Sequence, residues 1–321
     1  MDFQTKPLAL DATALHGLSE KLITSHHQNN YRGAVKRLNA IRAQLGGLDW
    51  ASAPVFVVNG LKREELIAAN SASLHECYFD ALGGDGVLPL CGLAVALMRD
   101  FGSVERWALE FTALAKALGG GSGWALLSWS SREGRLVNHW AADHTQLLAG
   151  ANVLLALDMY EHAYHLDFGA QAGAYVEAFM RNIRWDEIHR RYGVAVAADA
   201  LALAVDPLTL TLGSGSGLGL ASNAAPAATP RMIDVRAAPD YAAGTDMVAG
   251  AEWRDPVTVD AWSQQLDRQQ PVLVYCVKGL DIGRSVALAL QVRGFDARFL
   301  VGGVNAWRAA GLPLQDRTEP A

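Results

Sequence analysis

A stretch rich in glycine, serine, alanine and proline divides this chain of 321 residues into two parts. The sequence DPLTLTLGSGSGLGLASNAAPAATP, at about residues 206–230, carries a single charged residue. Such a composition is typical of a flexible linker. We therefore predict one domain at residues 1–205, a linker at 206–227 and a second domain at 228–321, which is an ordinary division for a chain of this length.

The first part begins with helical patterns. LSEKLITSHHQNNYRGAVKRLNAIRAQL has apolar residues at helical spacing after Ser19, the expected N-cap. KREELIAANSASLHECYFDAL gives a second helix that ends at Gly83 and Gly84, and two such helices would form an antiparallel hairpin. After the helix SVERWALEFTALAKAL, we predict an antiparallel sheet and a return to helix. The strands are GWALLSWSS, GRLVNHWAA and ANVLLALD, and the helices are EHAYHLDFG and AYVEAFMRNIRWDEIHRRY.

The part after the linker alternates strands with helices. This rhythm predicts an α/β domain with a parallel sheet. The strands are RMIDVR, PVLVYCV and ARFLVGG, and the helices are DIGRSVALALQVRG and VNAWRAAG. The stretch VAVAADALALAV before the linker fits a terminal helix of either domain or part of the linker, and its pattern leaves the choice open.

Composition restricts the class of protein. With 51% hydrophobic and 19% charged residues the chain should be globular, and its net charge of −6 argues against binding to nucleic acid. Three cysteines, at positions 77, 91 and 276, are few for a secreted scaffold and favour a reducing compartment. The N-terminus lacks the pattern of a signal peptide, and apolar runs such as ANVLLAL are too short to span a bilayer. We expect a soluble, cytoplasmic protein without a membrane partner.

Three histidines and one aspartate form a candidate metal site. Asp158 and His162 are four residues apart, which on a helix would place both side chains on one face. His26 and His75 lie on the two arms of the predicted hairpin. Three imidazoles and a carboxylate suit iron or manganese. Each residue alone also fits an ordinary surface or core role, and spacing alone does not bring the four together.

A resemblance to a known family indicates that these four residues act together. LDMYEHAYHLDF resembles the signature D-x-W-E-H-A-Y-Y of the iron/manganese superoxide dismutases. The segments LSEKLITSHHQNN…VKRLN, NSASLHECYF, FGSVERWALEFTALAKALGGGSGWALL and AYVEAFMRNIRWDEI resemble other parts of that family, in the same order, over about residues 10–190. The resemblance implies an α+β fold and one iron or manganese ion per chain, held by His26, His75, Asp158 and His162. It also implies conversion of superoxide to dioxygen and hydrogen peroxide as the ion cycles between two oxidation states.

The same resemblance implies roles for residues around the ion. Glu161 would cross a dimer interface to hydrogen-bond His162 of the partner subunit, so the chain would form a homodimer or a dimer-based tetramer. Trp124 would form an aromatic wall of the site, although ordinary core packing also explains a tryptophan there. His144 would hydrogen-bond the metal-bound solvent, and its rival His139 should lie in a strand.

The chain departs from the family at the outer gate, which orders water and supplies protons. The gateway tyrosine falls on Ala34, and the histidine four residues before it falls on Asn30. The second tyrosine of the signature falls on His165 and its tryptophan on Tyr160, so Tyr31 or His165 would have to substitute. The alternative function is therefore a metal-binding domain with little turnover, acting as a sensor or scaffold for the second domain.

Cys276 is the candidate nucleophile of the second domain. It ends the apolar strand VLVYC and precedes a short loop and a helix. Backbone amides of such a loop stabilise an anion and should lower the pKa of the thiol. The ordinary alternative is a buried cysteine at a strand end.

The surrounding motifs resemble the rhodanese sulfurtransferases. MIDVRAAPDYAAG…VAGAEW resembles the family's opening, VYCVKGLDIGRSVALALQVRGF its active loop and helix, and FLVGGVNAWRAAGLPL the closing L-x-G-G-x-x-A-W-x-x-A-G-x-P motif. The resemblance implies a persulfide on Cys276, formed from a sulfane-sulfur donor such as thiosulfate. Lys278 would attract the donor or simply be solvated, and Asp234 and Arg236 would brace the fold. The loop that cradles the persulfide would consist of Cys276, Val277, Lys278, Gly279, Leu280 and Asp281.

Overall fold

The computed structural model describes residues 2–210 and 229–317, so most of the predicted linker at 206–227 lies outside the described residues. Two compact units are present. The first comprises Met1–Pro89, Ala108–Ser128 and Val137–Ile188, and the second comprises Leu90–Trp107, Trp129–Leu136 and His189–Ala321. Each unit thus takes in segments that are distant in sequence, and the predicted boundary at residue 205 stays a prediction.

The first predicted helix has three parts. Helix α1 (Glu20–Ser25) is followed by a π-helical segment, His26–Tyr31, and then by α2 (Arg32–Gly46). Ser19 is the N-cap, as predicted, and its hydroxyl accepts a hydrogen bond from the amide of Leu22 at 3.0 Å. The next helix, α3, spans Val55–Asp80, and its Ala68 packs against α2 through Leu38, Ile41 and Leu45.

The middle of the chain forms the predicted three-stranded antiparallel sheet, with strand order β2-β1-β3. The strands are β1 (Trp124–Ser130), β2 (Arg135–Ala141) and β3 (Ala151–Asp158). Strand β1 is buried along its whole length because aromatic and aliphatic side chains occupy both of its faces. The helices that precede and follow the sheet along the chain are α4 (Gly92–Phe101), α5 (Val104–Ala117), α6 (His165–Phe168), α7 (Ala172–Arg181) and α8 (Trp185–Asp199).

The second unit contains the predicted parallel sheet, with strand order β4-β9-β8-β5-β7. Its strands are β4 (Ala204–Val205), β5 (Arg231–Asp234), β7 (Glu252–Trp253), β8 (Val272–Tyr275) and β9 (Ala297–Leu300), and a separate antiparallel pair consists of β6 (Asp246–Val248) and β10 (Leu314–Asp316). The helices between the strands are α9 (Ala238–Ala243), α10 (Val259–Trp262), α11 (Asp281–Val292) and α12 (Gly303–Ala309). Short 3₁₀ helices lie at Ala12–Ala14, Glu161–Ala163, Leu201–Leu203, Pro207–Leu210, Pro256–Thr258 and Ser263–Gln265.

The stretch VAVAADALALAV, whose role the pattern left open, has two roles. Helix α8 takes its first residues and ends at Asp199, and strand β4 takes its last two. Ala204 and Val205 of β4 pair in parallel with Phe299 and Leu300 of β9. The stretch therefore ends inside the sheet of the second unit.

Strand β8 shows why the parallel sheet carries Cys276 at a fixed place. Val272 and Val274 join one apolar cluster, whereas Leu273 and Tyr275 join the cluster on the other face. This alternation is the period of a strand, and burial on both faces is typical of a parallel sheet. Cys276 follows directly and belongs to the first cluster.

Within residues 2–210 and 229–317, we find no helix that is both long enough and apolar enough to cross a membrane.

Candidate metal centre and cysteine loop

His26 and His75 come from the two long helical segments of the first unit. His26 is the first residue of the π-helical segment, and His75 lies on α3. Both side chains are buried, and their ring centroids are 5.0 Å apart in an edge-on arrangement. A π-helical segment shifts the side chains that follow it around the helix axis, and such segments are frequent at functional sites.

Asp158 and His162 also lie beside these histidines, but the elements that carry them differ from the prediction. Asp158 is the last residue of strand β3, and His162 lies in the 3₁₀ helix Glu161–Ala163. The prediction that one helix face presents both side chains is therefore wrong, because the chain turns between them. Nε2 of His162 nevertheless lies 3.2 Å from Oδ2 of Asp158.

The four side chains converge on one carboxylate oxygen. Oδ2 of Asp158 lies 3.0 Å from Nε2 of His26, 3.2 Å from Nε2 of His162 and 3.5 Å from Nε2 of His75. One ligand atom from each of the four residues lies within 4.8 Å of all the others. The predicted ligands thus form a compact group of three nitrogens and one oxygen, which fits a single iron or manganese ion.

The protonation of His75 supports this fit. Its Nδ1–H donates to the carbonyl oxygen of Ser71 at 2.7 Å, which directs the lone pair of Nε2 toward Asp158. In the part of the chain that the structure describes, Nε2 has no hydrogen-bond partner although it is buried. Burial also lowers the pKa of His75 to about 3, so the imidazole is neutral at physiological pH and able to bind a metal.

Asp158 is held as a carboxylate. Burial by itself would favour the neutral acid, but hydrogen bonds with His162 and His26 hold the pKa of Asp158 well below its usual range. The amide of Tyr160 donates to its Oδ1 at 2.9 Å, and the hydroxyl of Tyr175 donates to its backbone carbonyl at 2.9 Å. These bonds fix the position of the one anionic member of the group.

Trp124, His144 and Tyr160 form an aromatic layer beside the ligands. Nε1 of Trp124 donates to Nδ1 of His144 at 2.9 Å, so the neutral imidazole of His144 carries its proton on Nε2. Tyr160 stacks between His144 and His162, at centroid distances of 5.0 Å and 5.5 Å. The rival His139 lies in strand β2, as predicted, and contacts the hydroxyl of Ser128 at 2.9 Å.

The structure distinguishes the two candidate gate substitutes. Tyr31 is buried with its ring 6.5 Å from that of His75, and its hydroxyl donates to Oε1 of Glu76 at 2.9 Å. His165 is exposed at the first residue of α6. Ala34 and Asn30, at the positions of the family's gate residues, are half-buried. Tyr31 is therefore the better placed of the two candidates.

Glu161 and His162 form the accessible edge of the group. The side chain of His162 is 30% exposed, whereas those of His26 and Asp158 are fully buried. Glu161 is exposed at the first residue of the 3₁₀ helix. Its predicted bond to His162 of the partner subunit stays a prediction, and both side chains are accessible for it.

Backbone amides lie around the sulfur of Cys276 in the second unit, and three of the four come from the predicted loop. The sulfur is reached by the backbone amides of Gly283, Leu280, Lys278 and Gly279, as an anion site requires. The expected lowering of its pKa is wrong, however. Burial raises the pKa of the Cys276 thiol and outweighs the amides, since the residue is only 5% exposed.

Two glycines allow the loop to close over the sulfur. Gly279 has φ of +60°, and a Cβ atom there would run into the carbonyl oxygen of Leu300. Gly303, with φ of +58°, leaves room for the carbonyl of Cys276, which accepts a hydrogen bond from the amide of Val304 at 2.9 Å. The closing G-G motif therefore serves the geometry of the cysteine loop directly.

The remaining loop residues differ in exposure. Lys278 and Leu280 are exposed, Val277 is half-buried, and Asp281 begins α11 and contacts Nε2 of His189 at 2.6 Å. Lys278 lines the same cavity as Cys276, which is consistent with attraction of an anionic donor and also with a solvated lysine.

Asp234 and Arg236 form a buried ion pair that contacts the last residue of β8, the strand that precedes the cysteine loop. Nη2 of Arg236 lies 2.6 Å from Oδ2 of Asp234, and Tyr275 donates to the same oxygen at 3.1 Å. Arg236 also donates to the carbonyl of Asp246 at 2.9 Å. These contacts fit the predicted bracing role.

Comparison with known proteins finds a family match in each part of the chain. Residues 90–191 match the family model of the C-terminal domain of iron/manganese superoxide dismutases. An iron superoxide dismutase of Cupriavidus metallidurans is 63% identical over 196 residues, which are 61% of this chain and 99% of that protein. The chain belongs to the iron/manganese superoxide dismutase family. A manganese enzyme of Haloferax volcanii is 35% identical over 205 residues (61% of this chain, 97% of that protein), and an iron enzyme of Aquifex pyrophilus is 33% identical over 192 (57% and 88%).

The remainder of the chain has a second match. Residues 220–310 match the model of the rhodanese-like domain, so the chain joins a dismutase-family region to a rhodanese-like domain. The family matches support the two resemblances on which the site predictions depended.

Sequence reasoning missed three features of the sites. It did not predict the π-helical segment at His26, it did not predict α4 with Cys91 just before it, and it did not bring His189 to Asp281. The π-helical segment does not alter the helical spacing of the apolar residues, so the sequence pattern could not predict it. Helix α4 had a visible signal in the apolar run GLAVALM, which is short enough to be passed over.

Proposed function

We propose that this chain dismutates superoxide at one iron or manganese ion held by His26, His75, Asp158 and His162. The observation that supports this most strongly is the convergence of three Nε2 atoms on Oδ2 of Asp158 within 3.5 Å. The carboxylate offsets part of the charge of a cation, and neutral imidazoles supply the remaining ligands.

An iron or manganese ion held by the four proposed ligands would supply a redox couple for the two half-reactions of superoxide. The overall reaction consumes two superoxides and two protons and yields dioxygen and hydrogen peroxide. The chain's own residues would hold and deliver the protons. His144 carries a proton on Nε2 because Trp124 occupies its Nδ1, and Tyr31, whose hydroxyl is bonded to Glu76, takes the place of the family's gate tyrosine.

Metal analysis combined with a superoxide-decay assay on the full chain tests this proposal. We expect one iron or manganese ion per chain and rapid decay of superoxide that depends on that ion. Full metal content without turnover would favour the alternative, in which the altered gate leaves a metal-binding scaffold for the rhodanese-like domain.

We also propose that the rhodanese-like domain transfers sulfane sulfur through Cys276. The Cys276 thiolate attacks the outer sulfur of thiosulfate, a new sulfur–sulfur bond forms, and sulfite leaves with the electron pair of the broken bond. An acceptor such as cyanide then takes the outer sulfur as thiocyanate and restores the thiolate. The supporting observation is the set of four backbone amides that reach the Cys276 sulfur.

Mass spectrometry after thiosulfate treatment tests the transfer. We expect one added sulfur on Cys276, and loss of both the adduct and thiocyanate formation in Cys276→Ser. Sulfur transfer that is unchanged in this variant would exclude the proposed role of Cys276.

We propose domains at residues 1–205 and 228–321, joined by the linker at 206–227, and a homodimer formed through the dismutase region. The free cysteines Cys77, Cys91 and Cys276 favour a reducing compartment, and we place the protein in the cytoplasm on this ground.

A further inference from the structure

Two cysteines of the second compact unit line one cavity. The cavity has a volume of about 330 Å³, and the residues that line it include Cys276, Lys278, Asp281, Cys91 and His189. All of these residues belong to the second unit. The dismutase chemistry does not use Cys91, and the persulfide chemistry proposed above does not require it.

Close backbone packing holds Cys91 at this place. Cys91 directly precedes α4, and the next residue is Gly92. A Cβ atom on Gly92 would lie 2.5 Å from Cβ of Asp281, the first residue of α11. Only a glycine therefore allows the start of α4 to approach the end of the persulfide loop this closely. The position of Cys91 beside the loop follows from this contact.

Cys91 differs from Cys276 in its access to solvent. Burial raises the pKa of the Cys91 thiol, and the amides of Ala94 and Leu93, in the first turn of α4, oppose this only in part. Cys91 is half-buried, whereas Cys276 is almost completely buried. Of the two sulfurs, Cys91 is thus the more accessible from outside the cavity.

We infer that Cys91 is a second sulfur carrier, which receives the sulfane sulfur from the Cys276 persulfide. The inference rests on the proposed persulfide at Cys276. In this step the Cys91 thiolate attacks the outer sulfur of the persulfide. A sulfur–sulfur bond forms at Cys91, the sulfur–sulfur bond at Cys276 breaks, and Cys276 leaves as a thiolate. One thiolate and one persulfide are present before and after, so the step requires no oxidant or reductant.

The relay gives the buried persulfide a route to an external acceptor. A thiol fixed in the same cavity acts at a high effective concentration compared with one in solution. Lys278 lies along the wall and can offset the negative charge of the moving sulfur, while Asp281, which contacts His189, and Asp240 oppose it. Cys77 lies on α3 in the first unit and takes no part in this cavity.

The experiment uses the full chain and thiosulfate as the probe. The protein is treated with thiosulfate, its sulfurs are trapped with an alkylating reagent, and the peptides that contain Cys77, Cys91 and Cys276 are analysed by mass spectrometry. We expect added sulfur on Cys276 first and on Cys91 later, with none on Cys77. In Cys276→Ser both adducts should disappear, and in Cys91→Ser the adduct should remain on Cys276. Transfer to an external thiol should slow by about tenfold or more in Cys91→Ser.

Cys77→Ala provides the matched control, because it removes a cysteine outside the cavity and should leave both adducts and their order unchanged. An adduct on Cys276 alone in the unaltered chain would overturn the relay while leaving the proposed function intact. An adduct on Cys91 that persists in Cys276→Ser would overturn it also, since Cys91 would then react with the donor directly. A disulfide between Cys91 and Cys276, with release of hydrogen sulfide, would show attack at the inner sulfur and overturn the relay. Complete lack of adduct on Cys276 would overturn the proposed function and this inference together.

Discussion

At the scale of single residues, His75 has one ring nitrogen engaged and the other free. Its Nδ1–H bonds the carbonyl of Ser71, four residues earlier on the same helix, so ordinary helix geometry selects the tautomer. Burial then keeps the ring neutral. The result is a lone pair at Nε2 that is directed to Asp158. Within the described structure this nitrogen has no hydrogen-bond partner. A cation is the natural partner for such an atom.

We predict that His75→Ala loses most of the bound metal. Removing one of four ligands leaves a poorer donor set and an open side on the ion, and loss even of a supporting residue around a metal typically costs about 10- to 100-fold in affinity. Metal content per chain, measured by elemental analysis, checks this. The control is His139→Ala, which alters a strand histidine outside the ligand group and should retain full metal content. Full content in His75→Ala would contradict the assigned site.

The thiol of Cys276 gives a second prediction at this scale. Because burial raises its pKa above the ordinary value, the reactive thiolate is scarcer at neutral pH than for a free cysteine. Its fraction should increase by about tenfold for each pH unit below the pKa. We therefore expect the rate of Cys276 alkylation to increase with pH and to reach half its maximum above the midpoint of a free thiol. Measurement with glutathione under identical conditions is the control, and a midpoint below that of glutathione would show that the amides outweigh burial.

At the scale of elements, the sequence predicted most helices and strands of the first part. In the second part it predicted β5, β8, β9, α11 and α12 and missed the short elements β4, β6, β7, β10, α9 and α10. Apolar periodicity identified α2, α3 and α5, and alternation with helices predicted the parallel sheet. The secondary structure around Asp158 and His162 was predicted less well. Asp158 and His162 share no helix, because β3 ends at Asp158 and a 3₁₀ helix begins at Glu161. The family resemblance selected both residues as candidate ligands in spite of this, since it depends on motif order rather than on local geometry.

Two glycines with similar backbone angles, Gly279 and Gly311, allow a matched comparison of alanine substitutions. Gly279 and Gly311 have φ of +60° and +69°, but only Gly279 is packed against a backbone oxygen, whereas a Cβ atom on Gly311 would meet open space. Gly311→Ala should cost about 1 kcal/mol in free energy of unfolding, from its left-handed conformation alone. Gly279→Ala should cost about 1–3 kcal/mol more, because the added methyl group must displace backbone. Denaturant titration measures both values, and equal losses would show that the loop relaxes freely.

At the scale of the whole molecule, the two proposed chemistries occupy different compact units. The candidate metal ligands lie in the first unit and Cys276 in the second, and each unit has its own buried core. Sequence alone predicted two domains from the composition of the linker. It could not predict that Leu90–Trp107 and Trp129–Leu136 would join the second compact unit, because that membership depends on contacts between residues far apart in the chain.

This separation predicts that the two activities fail independently. Cys276→Ser should abolish sulfur transfer and retain metal content and superoxide decay. His75→Ala should show the reverse pattern. Both assays are performed on both full-length variants, with the unaltered chain as the reference. If either substitution reduced both activities by a similar factor, the two sites would be coupled and the chain would have to be described as one functional system.

We predict that two chains associate at the accessible edge of the candidate metal group. Glu161 and His162 lie side by side at the accessible edge of the metal group, and Leu166, five residues after Glu161, is 48% exposed. A partner subunit that covers this edge would bury a carboxylate against an imidazole. Truncating one member of a buried charged pair at an interface costs about 2 kcal/mol or more, which weakens dimer affinity by about thirtyfold or more. Analytical ultracentrifugation at a series of concentrations should therefore show a homodimer for the unaltered chain and a shift toward monomer for Glu161→Ala.

Glu177→Ala is the control, because Glu177 is an exposed glutamate of the same unit whose ion pair with Lys116 lies on the surface. If the unaltered chain stays monomeric at micromolar concentration and remains active, the role of Glu161 across an interface is excluded.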